Sequence, residues 1–196
     1  MRGPPEPNLR LFVACELPDS AKEGLARVQS DLRERSAGRL RWVRPDGIHL
    51  TLKFLGGINA ALARRITDAL AAAIVDPFTL NLTFDHLGSF GGRMRLRVVW
   101  LGLGGDVKPL AELADKVEKA LKPLGFPHES RPFAPHLTLA RVPDEMNVDG
   151  RAHLADLIAS YQIPFLPPII VSQVSLMQSF LSPAGASYER RAAFPA

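Results

Sequence analysis

Two histidine–threonine pairs are the residues of this chain best suited to chemistry. His49-Leu50-Thr51-Leu52 and His136-Leu137-Thr138-Leu139 spell the same string, one copy in each half of the 196 residues. A strand sends alternate side chains to opposite faces. Each copy therefore predicts a His and a Thr side by side on one surface, with two Leu anchored behind. An imidazole with a free pKa of ~6.5 populates both protonation states near neutrality and can serve as acid or base. A Thr hydroxyl is a short neutral donor for a phosphate oxygen. Two such strands facing across a cleft put an acid on one side of a phosphorus and a base on the other, as in-line phosphoryl chemistry requires. Packing asks only for apolar/polar alternation and does not explain why both polar slots repeat as His then Thr.

Other candidates are weaker. His49 and His136 lack the neighbouring carboxylate or third His of a metal-ligand set, and no H-E-x-x-H, C-x-x-C or EF-hand string occurs, so no metal is expected. Neither Gly88–Gly92 nor Gly102–Gly105 has the order of a phosphate-cradling loop, and both read as turns. Asp85-His86 could be a dyad, but neighbouring residues of a regular strand face opposite sides. Lys53 shares the His49 face by i, i+4 spacing. His128 and His153 are assigned no role. Cys15 sits in an apolar run as buried filler.

The elements that must hold the pairs are read from pattern. Leu11-Phe12-Val13-Ala14-Cys15 predicts a buried strand. Helical spacing runs from Ala21 to about Ser36, with Asp19 or Ser20 as cap and Ala37-Gly38 as stop. Arg44-Pro45-Asp46-Gly47 is a turn before the first His strand, Ile48 to Leu55, which Gly56-Gly57 closes. Helices are expected from Asn59 to about Ile74, from Val107 to about Lys122 with Asp106 as cap, and from about Arg151 to Tyr161. Strands are expected at 40–43, 78–87, 93–103, 136–142, 169–181 and 186–191. This order is α+β with mostly antiparallel pairing. The doubled string suggests two related halves with the cleft on a pseudo-two-fold axis.

Bulk properties narrow the class. A 46% apolar content supports a packed core in one domain or two lobes, and no apolar run is long enough to span a membrane. Residues 1–7 carry no apolar stretch of a signal sequence and read as a flexible tail. With a lone Cys, this points to a cytoplasmic protein. The net charge of +4 mildly favours a polyanionic partner. Arg41, Arg44 and Lys53 bracket the first string, Arg131 and Arg141 the second, and Arg93, Arg95 and Arg97 alternate along one expected strand face.

The paired His-x-Thr strings resemble the signature of the 2H phosphoesterases. Arg10–Ala14, Val43–Gly56, Pro135–Arg141, Leu176–Ser179 and Gly185–Glu189 narrow the likeness to the RNA 2′,3′-cyclic phosphodiesterases, also named 2′-5′ RNA ligases, over essentially the whole chain from Asn8. The resemblance implies a bilobal fold of two pseudo-symmetric lobes, each an antiparallel sheet with outer helices, and a cleft between the sheets. It implies His49 as proton donor to the leaving 3′ oxygen, and His136 as the base that activates water, giving a 2′-phosphate. Thr51 and Thr138 would hold phosphate oxygens, Arg141 would contact phosphate or nucleotide, and Phe12 would stack a base. The implied substrate is RNA ending in a 2′,3′-cyclic phosphate, such as tRNA halves or nucleotides, taken by a monomer without cofactor. Ligation through the same site, binding of RNA ends without catalysis, and hydrolysis of another phosphodiester stand as alternatives.

Overall fold

The computed structural model describes residues 8–36, 40–183 and 185–195. The expected tail at residues 1–7 and the helix stop at Ala37-Gly38 lie outside these. The strands are β1 (Leu9–Glu16), β2 (Arg41–Trp42), β3 (His49–Ile58), β4 (Leu80–Phe90), β5 (Val98–Gly105), β6 (His136–Arg141), β7 (Ile169–Val171), β8 (Val174–Ser182) and β9 (Gly185–Phe194). The helices are α1 (Asp19–Arg35), α2 (Ala60–Ala73), α3 (Val107–Leu121) and α4 (Val148–Ser160). The α+β class and the antiparallel pairing expected from sequence are both present.

The strands form one hydrogen-bonded path, β7-β4-β5-β6-β3-β1-β8-β9, with β2 also on β6. The chain folds it as two similar passes, β1-α1-β3-α2-β4 and β5-α3-β6-α4-β8. In each pass the first strand pairs with the His strand, β1 with β3 and β5 with β6. The last strand of each pass crosses over, β4 onto β5 and β8 onto β1. The two His strands meet at a single paired position, Leu50 of β3 opposite Leu137 of β6. Those are the residues between His and Thr in the two strings, so the pseudo-two-fold axis runs between them.

The path must curl. β7 and β8 stand six strand steps apart in it, about 29 Å in a flat sheet. The three residue steps from Val171 to Val174 can span only about 11 Å. The strip therefore bends until its β7 edge approaches β8.

All four helices pack on the leucine face. Leu50, Leu52, Leu137 and Leu139 are buried there with Leu25 and Val28 of α1, Ile66 and Leu70 of α2, Leu110 and Val117 of α3, and Leu154 of α4. Cys15 belongs to this core, where burial pushes its thiol up to about 12. None of the described helices is long and apolar enough to cross a membrane.

Several local expectations are corrected. The Gly56-Gly57 pair continues β3 to Ile58. Gly88 lies inside β4 beneath the Trp100 ring, where a Cβ would be 2.2 Å from the indole. Gly102, Gly104 and Gly105 belong to β5. The strand expected from Arg93 starts at Val98. Arg93, Arg95 and Arg97 therefore occupy a hairpin loop rather than a strand face, and Arg93 pairs with Asp156 of α4 through two bonds of 2.6 and 2.8 Å. The long strand 169–181 is two, β7 and β8, which pair in different halves. Asp106 does not cap α3 with its side chain; its carboxylate accepts from the backbone N–H of Asn81 at 2.8 Å. Pro18 occupies the N-cap of α1, and Asp19 and Ser20 already lie in the helix.

Candidate active site

Both His-x-Thr strings sit on strands, with the predicted alternation: His49, Thr51, His136 and Thr138 half-buried on one face, the leucines buried on the other. Continuing the antiparallel register from Leu50–Leu137 sets His49 toward Thr138, and Thr51 toward His136. Each imidazole thus neighbours the hydroxyl of the other repeat across the axis.

The two rings are fixed in the same way. His49 Nδ1 lies 2.8 Å from the Gly47 carbonyl, and His136 Nδ1 lies 2.8 Å from the Ala134 carbonyl. In both copies the acceptor is two residues upstream. A carbonyl can only accept, so Nδ1 carries the hydrogen and donates it. Nε2 is left free to take or give a proton. Around His49, burial disfavours the charged form and lowers the pKa, while the Gly47 carbonyl and the Glu16 carboxylate work in the opposite direction.

The same irregularity closes each string. Ala14 pairs with Thr51, but Val13 pairs with Lys53, so Leu52 is an extra residue. Trp100 pairs with Thr138, but Val99 pairs with Ala140, so Leu139 is extra. A β-bulge of this kind puts two successive side chains on one face and re-aims the rest of the strand. Lys53 is consequently turned away from His49 into the core, where its Nζ lies 2.6 Å from Glu118 and 2.9 Å from the Pro127 carbonyl. Arg141 is turned the other way, out to the His–Thr face, and is exposed. It lies near enough to Tyr188 for its charge to oppose the rise that burial gives the phenol.

Phe12 requires a correction. It is 3% exposed. Its ring stacks on His49 at 4.6 Å and meets Tyr188 edge-on at 5.4 Å. With one face on the imidazole and so little of its surface open, Phe12 supports His49 and offers no platform for a base.

Sequence reasoning missed the remaining aromatic surroundings. Tyr188 stands edge-on to His49 at 4.9 Å. Phe90 stands edge-on to His136 at 4.8 Å, with Trp100 at 6.1 Å. Phe54 emerges after the first bulge, 73% exposed, at the position Arg141 holds after the second. Laying one string on the other would have paired Phe54 with Arg141. Tyr188 and Phe90 arrive from strands distant in sequence; Tyr188 lies in the stretch 185–189 that carries the likeness but was given no role, and Phe90 left no comparable signal. Asp85 and His86 also differ from expectation. A register shift between Phe84 and Leu87 breaks the alternation, and the His86 Nδ1 bonds the Asp85 carboxylate at 2.8 Å. Among the described residues, no three His, Cys, Asp or Glu gather as a metal-ligand set.

A doubled α+β unit that presents twin His-x-Thr strands on one sheet face is the architecture of a two-histidine phosphoesterase. The model of the family described as LigT like Phosphoesterase matches twice, over residues 16–100 and 105–188, one match on each pass of the chain. The RNA 2′,3′-cyclic phosphodiesterase of Methanothermobacter thermautotrophicus is 32% identical over 182 residues, 92% of this chain and 95% of that protein. The enzyme of the same name from Archaeoglobus fulgidus is 32% identical over 92% of this chain and 97% of its own length. The crystal structure of E. coli LigT complexed with 3′-AMP has a TM-score of 0.73 at 27% identity, covering 95% of this chain and 97% of that one. The chain belongs to the LigT-like phosphoesterase family.

Proposed function

We propose that this protein opens the terminal 2′,3′-cyclic phosphate of RNA to a 2′-phosphate by acid–base catalysis between His49 and His136. The observation that carries the reading is the twin imidazoles, each with Nδ1 committed to a backbone carbonyl and Nε2 free. The names of the family relatives support the substrate class, and the nucleotide 3′-AMP held by E. coli LigT supports a nucleotide site in this fold.

Neutral His136 takes a proton from water at Nε2 as the water oxygen bonds to phosphorus. The bond from phosphorus to O3′ breaks, and protonated His49 gives its Nε2 proton to that oxygen. The product carries a 3′-hydroxyl and a 2′-phosphate. Proton exchange with solvent then restores both rings. Thr51 and Thr138 donate to the non-bridging oxygens, whose charge shifts as the pentacoordinate state forms. Arg141 supplies the fixed positive charge on that face. Each positioned acid or base contributes on the order of 10²–10⁴ in rate. Both histidines come from one chain, so a monomer forming one bilobal domain is the working unit, in the cytoplasm where RNA ends of this kind would be met.

The test is hydrolysis of an oligoribonucleotide ending in a 2′,3′-cyclic phosphate, in excess EDTA, with the product read by phosphorus NMR. A 2′-phosphate is expected. A 3′-phosphate would reverse the leaving oxygen, and RNA bound without turnover would overturn catalysis in favour of end binding.

A further inference from the structure

The two repeats are alike in their strings, ring tethers and bulges, yet the proposed reaction gives their histidines opposite tasks. Something outside the strings must tell them apart. The residue directly across from His49 on β1 is Glu16. The residue directly across from His136 on β5 is Gly102. Directly opposed residues of an antiparallel pair share a face and stand about 5 Å apart at Cβ. One histidine therefore faces a carboxylate, and the other faces a residue with no side chain. The space over Gly102 is taken by the rims of Trp100 and His86, which a Cβ there would meet at 3.2 and 3.3 Å.

Glu16 is held in place. Its Oε1 accepts from the Ser175 hydroxyl of β8 at 2.5 Å and forms an ion pair with Arg190 of β9, whose Nε lies 2.8 Å away. From the elements packed around His49, the titratable and charged groups facing it are Glu16 of β1, with Arg190 behind it, and Tyr188 of β9, with Arg141 of β6 acting on the phenol. The Gly47 carbonyl holds its Nδ1. Lys53, on the same strand, is spent on Glu118 in the opposite face.

Resting on the proposed phosphodiesterase reaction, we infer that Glu16 is a positioning residue that assigns the proton-donor role to His49, and that Arg190 sets how strongly it does so. A proton donor must carry its proton at the start. Burial against Phe12 and Tyr188 works against this and sets the net direction, and the opposed carboxylate works for it and limits the loss. His136 has Gly102 directly across, with the rims of Trp100 and His86 over it, and no carboxylate at the paired position.

The two charges give a test with two signs. Glu16→Gln keeps an acceptor for Ser175 and Arg190 but removes the negative charge. Arg190→Gln removes the positive charge that offsets it. In NMR titrations of the histidine Cε1–H signals, Glu16→Gln should move the His49 midpoint to lower pH and Arg190→Gln to higher pH, with the His136 midpoint unmoved by either. This readout needs no substrate. In kcat/KM on the cyclic phosphate, Glu16→Gln should lose about three- to sixfold above both midpoints and nothing below them. That magnitude is the Coulomb interaction of two charges ~6 Å apart, screened by solvent and Arg190 to an effective dielectric of roughly 50–80. Arg190→Gln should gain above both midpoints. Midpoints that stay put, or move the same way in both variants, would overturn the inference. A gain for Glu16→Gln at low pH, with no loss at high pH, would make His49 the base and overturn it too. Midpoints that shift as stated in a wild-type protein that cleaves no cyclic phosphate would refute the phosphodiesterase reaction and the donor role with it, while leaving the charge pairing intact.

Discussion

Replacing Lys53 by Met should cost far more than its distance from the chemistry suggests. The Lys53 and Glu118 side chains are 8% and 9% exposed and 2.6 Å apart. Lys53 also donates to the Pro127 carbonyl at 2.9 Å. Lys53→Met keeps most of the apolar stem but strands the Glu118 carboxylate in the core with its cation gone. Breaking a buried pair from one side costs about 3–5 kcal/mol, whereas replacing both partners with apolar groups is often close to neutral. For a chain of this size 1 kcal/mol moves the melting temperature by about 2–4 °C, so Lys53→Met should melt about 10 °C lower. The double variant Lys53→Met/Glu118→Leu should recover most of that. Urea unfolding at pH 7, followed by circular dichroism, measures both. The pair also joins β3, one residue past its bulge, to α3 and to the loop that leads into β6. Lys53→Met should therefore lower turnover as well as stability, because it loosens the approach to His136. A single variant that loses under 1 kcal/mol, or a double variant no better than the single, would refute the picture of a buried pair whose cost falls on the orphaned charge.

The other expectations concern the site face. His49→Ala and His136→Ala should each lower kcat by on the order of 10²–10⁴ with an unchanged circular dichroism spectrum; near-wild-type turnover in either would end the paired mechanism. Thr51→Ala or Thr138→Ala should cost about 1.5–3 kcal/mol of transition-state stabilisation, one charge-assisted hydrogen bond, read as a loss in kcat/KM. Gly88→Ala should displace the Trp100 ring, since the new methyl would sit 2.2 Å from it; a change in indole fluorescence with slower turnover is expected, and an unaltered spectrum would show that β4 can yield. Below pH ~6.5, wild type should lose stability relative to His49→Gln. Burial lowers the folded-state pKa of His49, so the unfolded chain binds the proton first as pH falls. Paired urea titrations from pH 8 to pH 5 check the sign.

The candidate site of this protein is legible because it is written twice in four letters. A period-two pattern of His and Thr over Leu specifies a strand, a face and a pair of functional groups at once, and both copies lie where that pattern puts them. Legibility ends where the pattern breaks. Lys53 by spacing belongs beside His49, yet Leu52 is a bulge residue, so Lys53 faces the core. Asp85 and His86, by the same rule, should face opposite sides, yet a register shift sets them in hydrogen-bond contact. Nothing in Leu-Thr-Leu announces an extra residue, because a bulge is decided by the partner strand. Phe12 lies at the site, as its sequence context implies, but with a different task, because stacking against a histidine of β3 is settled by register and not by composition.

These departures share a cause that bears on function. The strings supply two equivalent histidines, and equivalence is what an acid–base pair cannot keep. The breaking of symmetry is carried by residues that no string contains: Glu16 against Gly102, Phe54 against Arg141, and Tyr188 beside one ring where Phe90 flanks the other. Each reaches the site through cross-strand pairing, the level of structure that a sequence read locally leaves open. In the proposed reaction, the duplicated motif supplies the pair of groups, and its unduplicated neighbours would divide the labour between them.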